Sequence, residues 1–119
     1  MLARLDRVLD ATGAHVVISS CWRAGDGGQS VARILARCGL RHADQIVGET
    51  DKLDGIRGHD IADWLRAHRH TGAFAIVDDD NDMGVLTPHL VKTSWQDGLQ
   101  DEHVERLIAM LGHVTTETA

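Results

Sequence analysis

The sequence predicts an α/β domain: a parallel sheet of about four strands with helices on both faces. Three observations carry that prediction. Short apolar segments alternate with amphipathic segments of helical period through most of the 119 residues. The apolar segments include β-branched residues, as strands buried on both faces do. One of them, Phe74-Ala75-Ile76-Val77, runs straight into Asp78-Asp79-Asp80, and Asp82 follows two residues later. Open α/β sheets place their ligands at the carboxyl ends of their strands.

Residues 2–12 put Leu2, Leu5, Val8 and Leu9 on one helical face, and Gly13 is a stop signal. Val16-Val17-Ile18 is a short strand running into Ser19-Ser20-Cys21-Trp22-Arg23. Hydroxyls at a strand end can donate to a phosphoryl oxygen, and they can equally bond the local backbone. A cysteine-phosphatase loop is excluded, because the position six after Cys21 is Gly27 and not arginine. The glycine-rich loop 24–28 lacks the Lys-Ser/Thr ending of a nucleotide-binding P-loop.

Residues 29–38 read as a second helix with Val31, Ile34, Leu35 and Cys38 facing the core, ended by Gly39. Gln45-Ile46-Val47-Gly48 reads as a strand, and the polar loop 49–58 carries Lys52 and Arg57. A third helix, from Gly58 or His59 to about His68, turns Ile61, Trp64 and Leu65 inward. Arg57 stands at its start, where a cation is slightly unfavourable against the helix dipole and an anionic ligand would give it a reason. After the acidic strand, Pro88 to Thr93 reads as a last strand and residues 100–111 as a last helix, with Val104, Leu107, Ile108 and Leu111 on one face.

Composition bounds the function. Hydrophobic residues are 43% of the chain, enough for a core, and aromatics only 3%, so that core is aliphatic. A net charge of -6 argues against non-specific nucleic-acid binding. Cys21 and Cys38 do not resemble a disulfide framework, and no membrane span or signal segment is evident, so a cytoplasmic protein is expected. Adjacent aspartates repel one another, and a hard divalent cation such as Mg²⁺ would relieve them. A solvated acidic turn is the bland alternative.

Three polar stations thus fall at strand ends or helix starts: Ser19 with Ser20, Arg57 with Lys52, and Asp78 with Asp79. Hydroxyl donors, a cation and a carboxylate pair on one sheet edge suit phosphoryl transfer. A two-component receiver domain fits less well, since Lys92 is followed by Thr-Ser and not proline.

At these residues the chain resembles the haloacid dehalogenase-like (HAD) superfamily, and more closely the small HAD domain of Swiss Army Knife RNA-repair-associated proteins. The resemblance rests on residues 16–23, on Arg57-Gly58 opening a helix with Ile61 and Trp64-Leu65, on residues 76–80, and on Leu90-Val91-Lys92-Thr93 followed by Gly98-Leu99. It implies a three-layer, Rossmann-like fold and a Mg²⁺-dependent phosphatase lineage. It implies phosphate-binding roles for Ser19 or Ser20, with Ser19 preferred, and for Arg57 or Lys52. The Mg²⁺ pair would be Asp78 and Asp79, and Asp82 is the further acidic candidate beside them.

The family's first motif, a strand ending in Asp-x-Asp that supplies the nucleophile, has no counterpart. Asp6 and Asp10 lie in a helical pattern. A late start, a truncation or a relic that binds without catalysing would each account for this. The expectation is therefore a chain with little or no turnover and weak or absent Mg²⁺ binding. Its substrate would be a phosphorylated small molecule or nucleic-acid end; a non-catalytic interaction module with the same fold is the alternative.

In the family the missing strand is central. Residues 16–19 are accordingly expected to pair directly with residues 74–77 in a contracted four-stranded sheet of a monomer. The alternative is a homodimer that fills the gap from another chain.

Overall fold

The computed structural model describes residues 2–19, 25–51, 56–70, 72–79, 81–94 and 96–112. Ser20, Cys21, Lys52 and Asp80 of the sequence reading lie outside them.

Helix α1, Leu2–Thr12, buries Val8 and Leu9 and ends at Gly13, whose φ of 64° lies in the left-handed region that favours glycine. Strand β1, Val16–Ile18, follows. Helix α2, Gln29–Arg37, is entered through Gly28 at φ 88°. A Cβ on Gly28 would lie 3.0 Å from both Gly48 O and Ile46 Cγ2, so this glycine seats α2 against strand β2, Ile46–Glu49. A 3-10 turn at Ala43–Gln45 leads into β2.

Helix α3, Arg57–Ala67, strand β3, Ile76–Asp78, and strand β4, Leu90–Lys92, come next. The expected strand start at Pro88 is instead the end of a 3-10 turn, Gly84–His89. Helix α4, Asp101–Leu111, closes the described fold with a capping box between Gln100 and His103.

The strands are parallel, as expected, but among the described residues they form two sheets, β1–β2 and β3–β4. The contracted sheet is corrected here: β1 pairs with β2 and β3 with β4, and β1 does not pair with β3. Packing gives the reason. Val8, Val91, Leu99, Val104 and Leu107 join α1, β4 and α4 in one core cluster. Ile61, Ile76, Met83 and Leu90 join α3, β3 and β4 in a second. Both clusters sit on the β3–β4 side, while Val16, Val17 and Ile18 are only half-buried. Three-residue strands offer few edge hydrogen bonds, so side-chain burial decides where they settle.

Two inward assignments on α2 are also corrected. Ile34 is 55% exposed and Cys38 is exposed, because α2 meets only a two-stranded sheet and Val31 alone of its residues is fully covered. Among the described residues no helix is long and apolar enough to cross a membrane.

Candidate functional site

The carboxyl end of β3 carries the charged chemistry. Asp78 is its last residue, and its side chain is 7% exposed. The guanidinium of Arg57 donates to Asp78 Oδ2 through Nη1. Arg57 is the first residue of α3, so the pair joins a helix start to a strand end. The dipole misfit read from the sequence thus has a partner inside the fold: a buried carboxylate beside the cation.

Asp82 completes the arrangement from the loop after β3. Its Oδ2 accepts the Arg57 backbone N–H at 3.2 Å, and its carbonyl accepts that of Gly58 at 3.1 Å. Ile56, the residue before α3, has no side-chain oxygen to cap the helix, and Asp82 does that from a distance in sequence. A carboxylate at a helix N-terminus is also favoured by the dipole. The other oxygen, Asp82 Oδ1, is buried and has no hydrogen-bond partner among the described residues.

Gly58 permits this closeness. A Cβ there would lie 2.5 Å from Met83 O and 2.8 Å from Met83 Cα, so α3 rests directly on the backbone of the 82–83 turn.

Asp79 belongs elsewhere. It is exposed and lines an open cavity of about 490 Å³ with Lys92, Thr93, Ser94, Glu102 and His103. Ser19 stands half-buried just after β1, in the other sheet. The structure brings together Arg57, Asp78 and Asp82, while Ser19 follows a strand paired with β2 and Asp79 lines the cavity; Ser20 and Lys52 lie outside the described residues.

This donor set does not fit a Mg²⁺ site as it stands. Among the described residues no three His, Cys, Asp or Glu side chains converge to hold a metal. Asp78 faces a guanidinium, Asp82 caps a helix, and Asp79 points into a separate cavity.

Sequence reading missed two things. Asp82 is a long-range helix cap, and Lys92, in register with Asp78 on β4, is an exposed cation at the same sheet end. The second was discoverable from Leu90-Val91-Lys92, a strand ending in a cation. The first had no local signal, because cap and helix lie 25 residues apart.

Parallel strands alternating with helices, and a cation with carboxylates at a strand end, describe a HAD-like α/β protein. The chain belongs to the family of HAD domains in Swiss Army Knife RNA repair proteins, whose family model matches residues 1–104. Comparison with curated proteins and with solved structures gives no match.

Proposed function

We propose that this HAD-family chain of phosphohydrolase lineage binds a phosphoryl oxyanion at the carboxyl end of its strands, with Arg57 as the cation that holds it. The carrying observation is Arg57 itself, a partly exposed guanidinium at the start of α3 and beside Asp78. Its planar fork matches two phosphoryl oxygens, and the start of a helix favours an anion. Ser19, at the end of β1, would add a hydroxyl donor. In this reading the two sheets are halves of one layered HAD-like arrangement, and the ligand is a phosphorylated small molecule or nucleic-acid end.

Turnover by this chain should be slight. A nucleophilic carboxylate is needed, and the aspartates of α1 have other work. Asp6 accepts the backbone N–H groups of Arg41 and His42, and Asp10 pairs with the side chains of the same two residues. Phosphate binding tests the proposal. Inorganic phosphate should raise the thermal midpoint of the wild type and leave that of Arg57→Gln unmoved. An equal rise in both would remove Arg57 from the role. Robust hydrolysis of p-nitrophenyl phosphate, abolished by Asp78→Asn, would overturn the expectation of slight turnover.

One observation favours a second reading, a non-catalytic interaction module. Val47 on β2 and Val77 on β3 are 51% and 46% exposed, unusual for apolar residues in short parallel strands. Substituting Val47 and Val77 with Thr while phosphate binding persists, and finding a partner interaction lost, would support this role.

A further inference from the structure

Helix α2 leaves a basic face uncovered, and helix α4 leaves an acidic one. We propose that these two faces bind each other between two copies of this chain: α2 of one copy lies along α4 of the second, and the reciprocal contact closes a twofold dimer.

The basic face has no partner at home. Helix α2, Gln29–Arg37, contains no acidic residue. Arg33 and Arg37 stand one turn apart and are exposed, and like charges at that spacing weaken the helix that carries them. Arg4 and Arg7 face Asp101, Arg41 faces Asp10, and Arg66 faces Asp63. Arg33 and Arg37 face no carboxylate among the described residues. Ile34, in the adjoining row of the same helix surface, is 55% exposed. Cations with an apolar residue beside them suit a protein surface better than a nucleic-acid backbone, whose contacts are charged and polar.

The acidic face is its complement. Glu102, Glu105 and Ile108 follow at three-residue spacing and form one row along α4. Glu105 is exposed and faces no cation among the described residues. The Glu102 side chain is 79% exposed, with His103 Nε2 3.8 Å away. Ile108 and Ala109 line an open groove beside Glu105.

The rows also match in geometry. A row of three-residue spacing on one helix packs into the four-residue grooves of another, with the axes about 20° from parallel or antiparallel. Neighbours along either row lie about 5–6 Å apart, so two arginines reach two carboxylates together. Ile34 then has the groove of Ile108 and Ala109 to cover it.

Both helices are neighbours of α1. Helix α4 packs on it, and Asp10 of α1 holds the side chains of Arg41 and His42 just beyond α2. A twofold axis can thus set each face against its complement on the second copy. The net charge of -6 repels copies at long range. At physiological salt that repulsion is screened beyond about 8 Å, and inside that distance the local pairing decides.

Sedimentation equilibrium of the purified chain at physiological salt tests this. The wild type should dimerise as its concentration rises. Arg33→Glu/Arg37→Glu and, separately, Glu102→Arg/Glu105→Arg should each raise the dimer dissociation constant about tenfold or more, because like charges then meet across the contact. An equimolar mixture of the two variants should restore the dimer, since each reversed face meets its complement. A wild type that stays monomeric up to about 1 mM overturns the proposal and leaves the arginine face to an acidic partner of another kind. A dimer untouched by both reversals, or folded variants that do not associate when mixed, overturns it as well. An open series of oligomers overturns the twofold closure. If either reversed variant does not fold, Arg33→Gln/Arg37→Gln and Glu102→Gln/Glu105→Gln decide: both should weaken the dimer, and wild-type dimerisation in both overturns the proposal.

Discussion

The carboxylate of Asp6 holds the backbone of Arg41: its Oδ1 and Oδ2 accept the Arg41 N–H at 3.1 and 3.0 Å. Oδ1 also takes the N–H of His42 at 3.0 Å, and Asp6 is 3% exposed. This carboxylate fixes α1 to the turn after α2, and so ties the β1–β2 side of the molecule to the helix that packs on α4. Removing it should therefore loosen the joint between the two sheets. Asp6→Ala is expected to lower unfolding stability by about 1.5–3 kcal/mol, the range for hydrogen bonds to a charged group. Asp6→Asn, which keeps one acceptor, should lose less. Urea denaturation reads both, and an unchanged midpoint for Asp6→Ala would show the contact to be idle.

Gly58→Ala gives a prediction of sign. In an exposed helix interior this change stabilises by about 1 kcal/mol. Here the new Cβ would meet Met83 O at 2.5 Å, which is backbone and cannot turn aside. The variant should be destabilised, by about 1–3 kcal/mol as overpacking usually costs. It should also weaken phosphate binding, because α3 carries Arg57. A thermal midpoint at or above that of the wild type would contradict the close contact.

Acid should weaken the surface ties of α1. Asp101 is held below the usual carboxylate range by hydrogen bonding and charge from Arg4, then by Arg7. Asp10 is lowered by its bonds to His42 and then Arg41. A carboxyl with a depressed folded value contributes stability above its unfolded value of 3.8 and loses it as pH falls through the lower folded value. Urea midpoints should fall as pH drops from 5 through 3, and Asp101→Asn should flatten part of that decline. A slope as steep in Asp101→Asn as in wild type would remove this pair from the account.

Two valines set the scale for the core. Val91 on β4 is 0% exposed, whereas Val85 is 90% exposed. Val91→Ala should cost about 1–3 kcal/mol, by scaling from the methylene deleted in Ile→Val. Val85→Ala should stay within about 0.5 kcal/mol. Equal effects in denaturant titrations would place the core elsewhere.

The elements were legible in the sequence because their signals are local. The period of Leu5, Val8 and Leu9 marks α1, Val16-Val17-Ile18 marks β1, and Val104 and Leu107 mark α4, each within the observed bounds or a residue of them. Hydrophobic period and turn chemistry act over a few residues, so neighbours in sequence suffice to read them. The family was legible too, since the order of strand ends and helix starts is a property of the chain. Strand partners were not. Whether β1 lies beside β3 or beside β2 depends on which helices bury which faces, and no short stretch contains that competition. The site divides in the same way: the sequence placed Arg57, Asp78 and Asp82 as candidates by their positions at element ends. Only the tertiary structure turned Asp82 into the cap of α3 and set Arg57 on Asp78, because both relations join residues more than 20 positions apart through the packing of a helix on a turn.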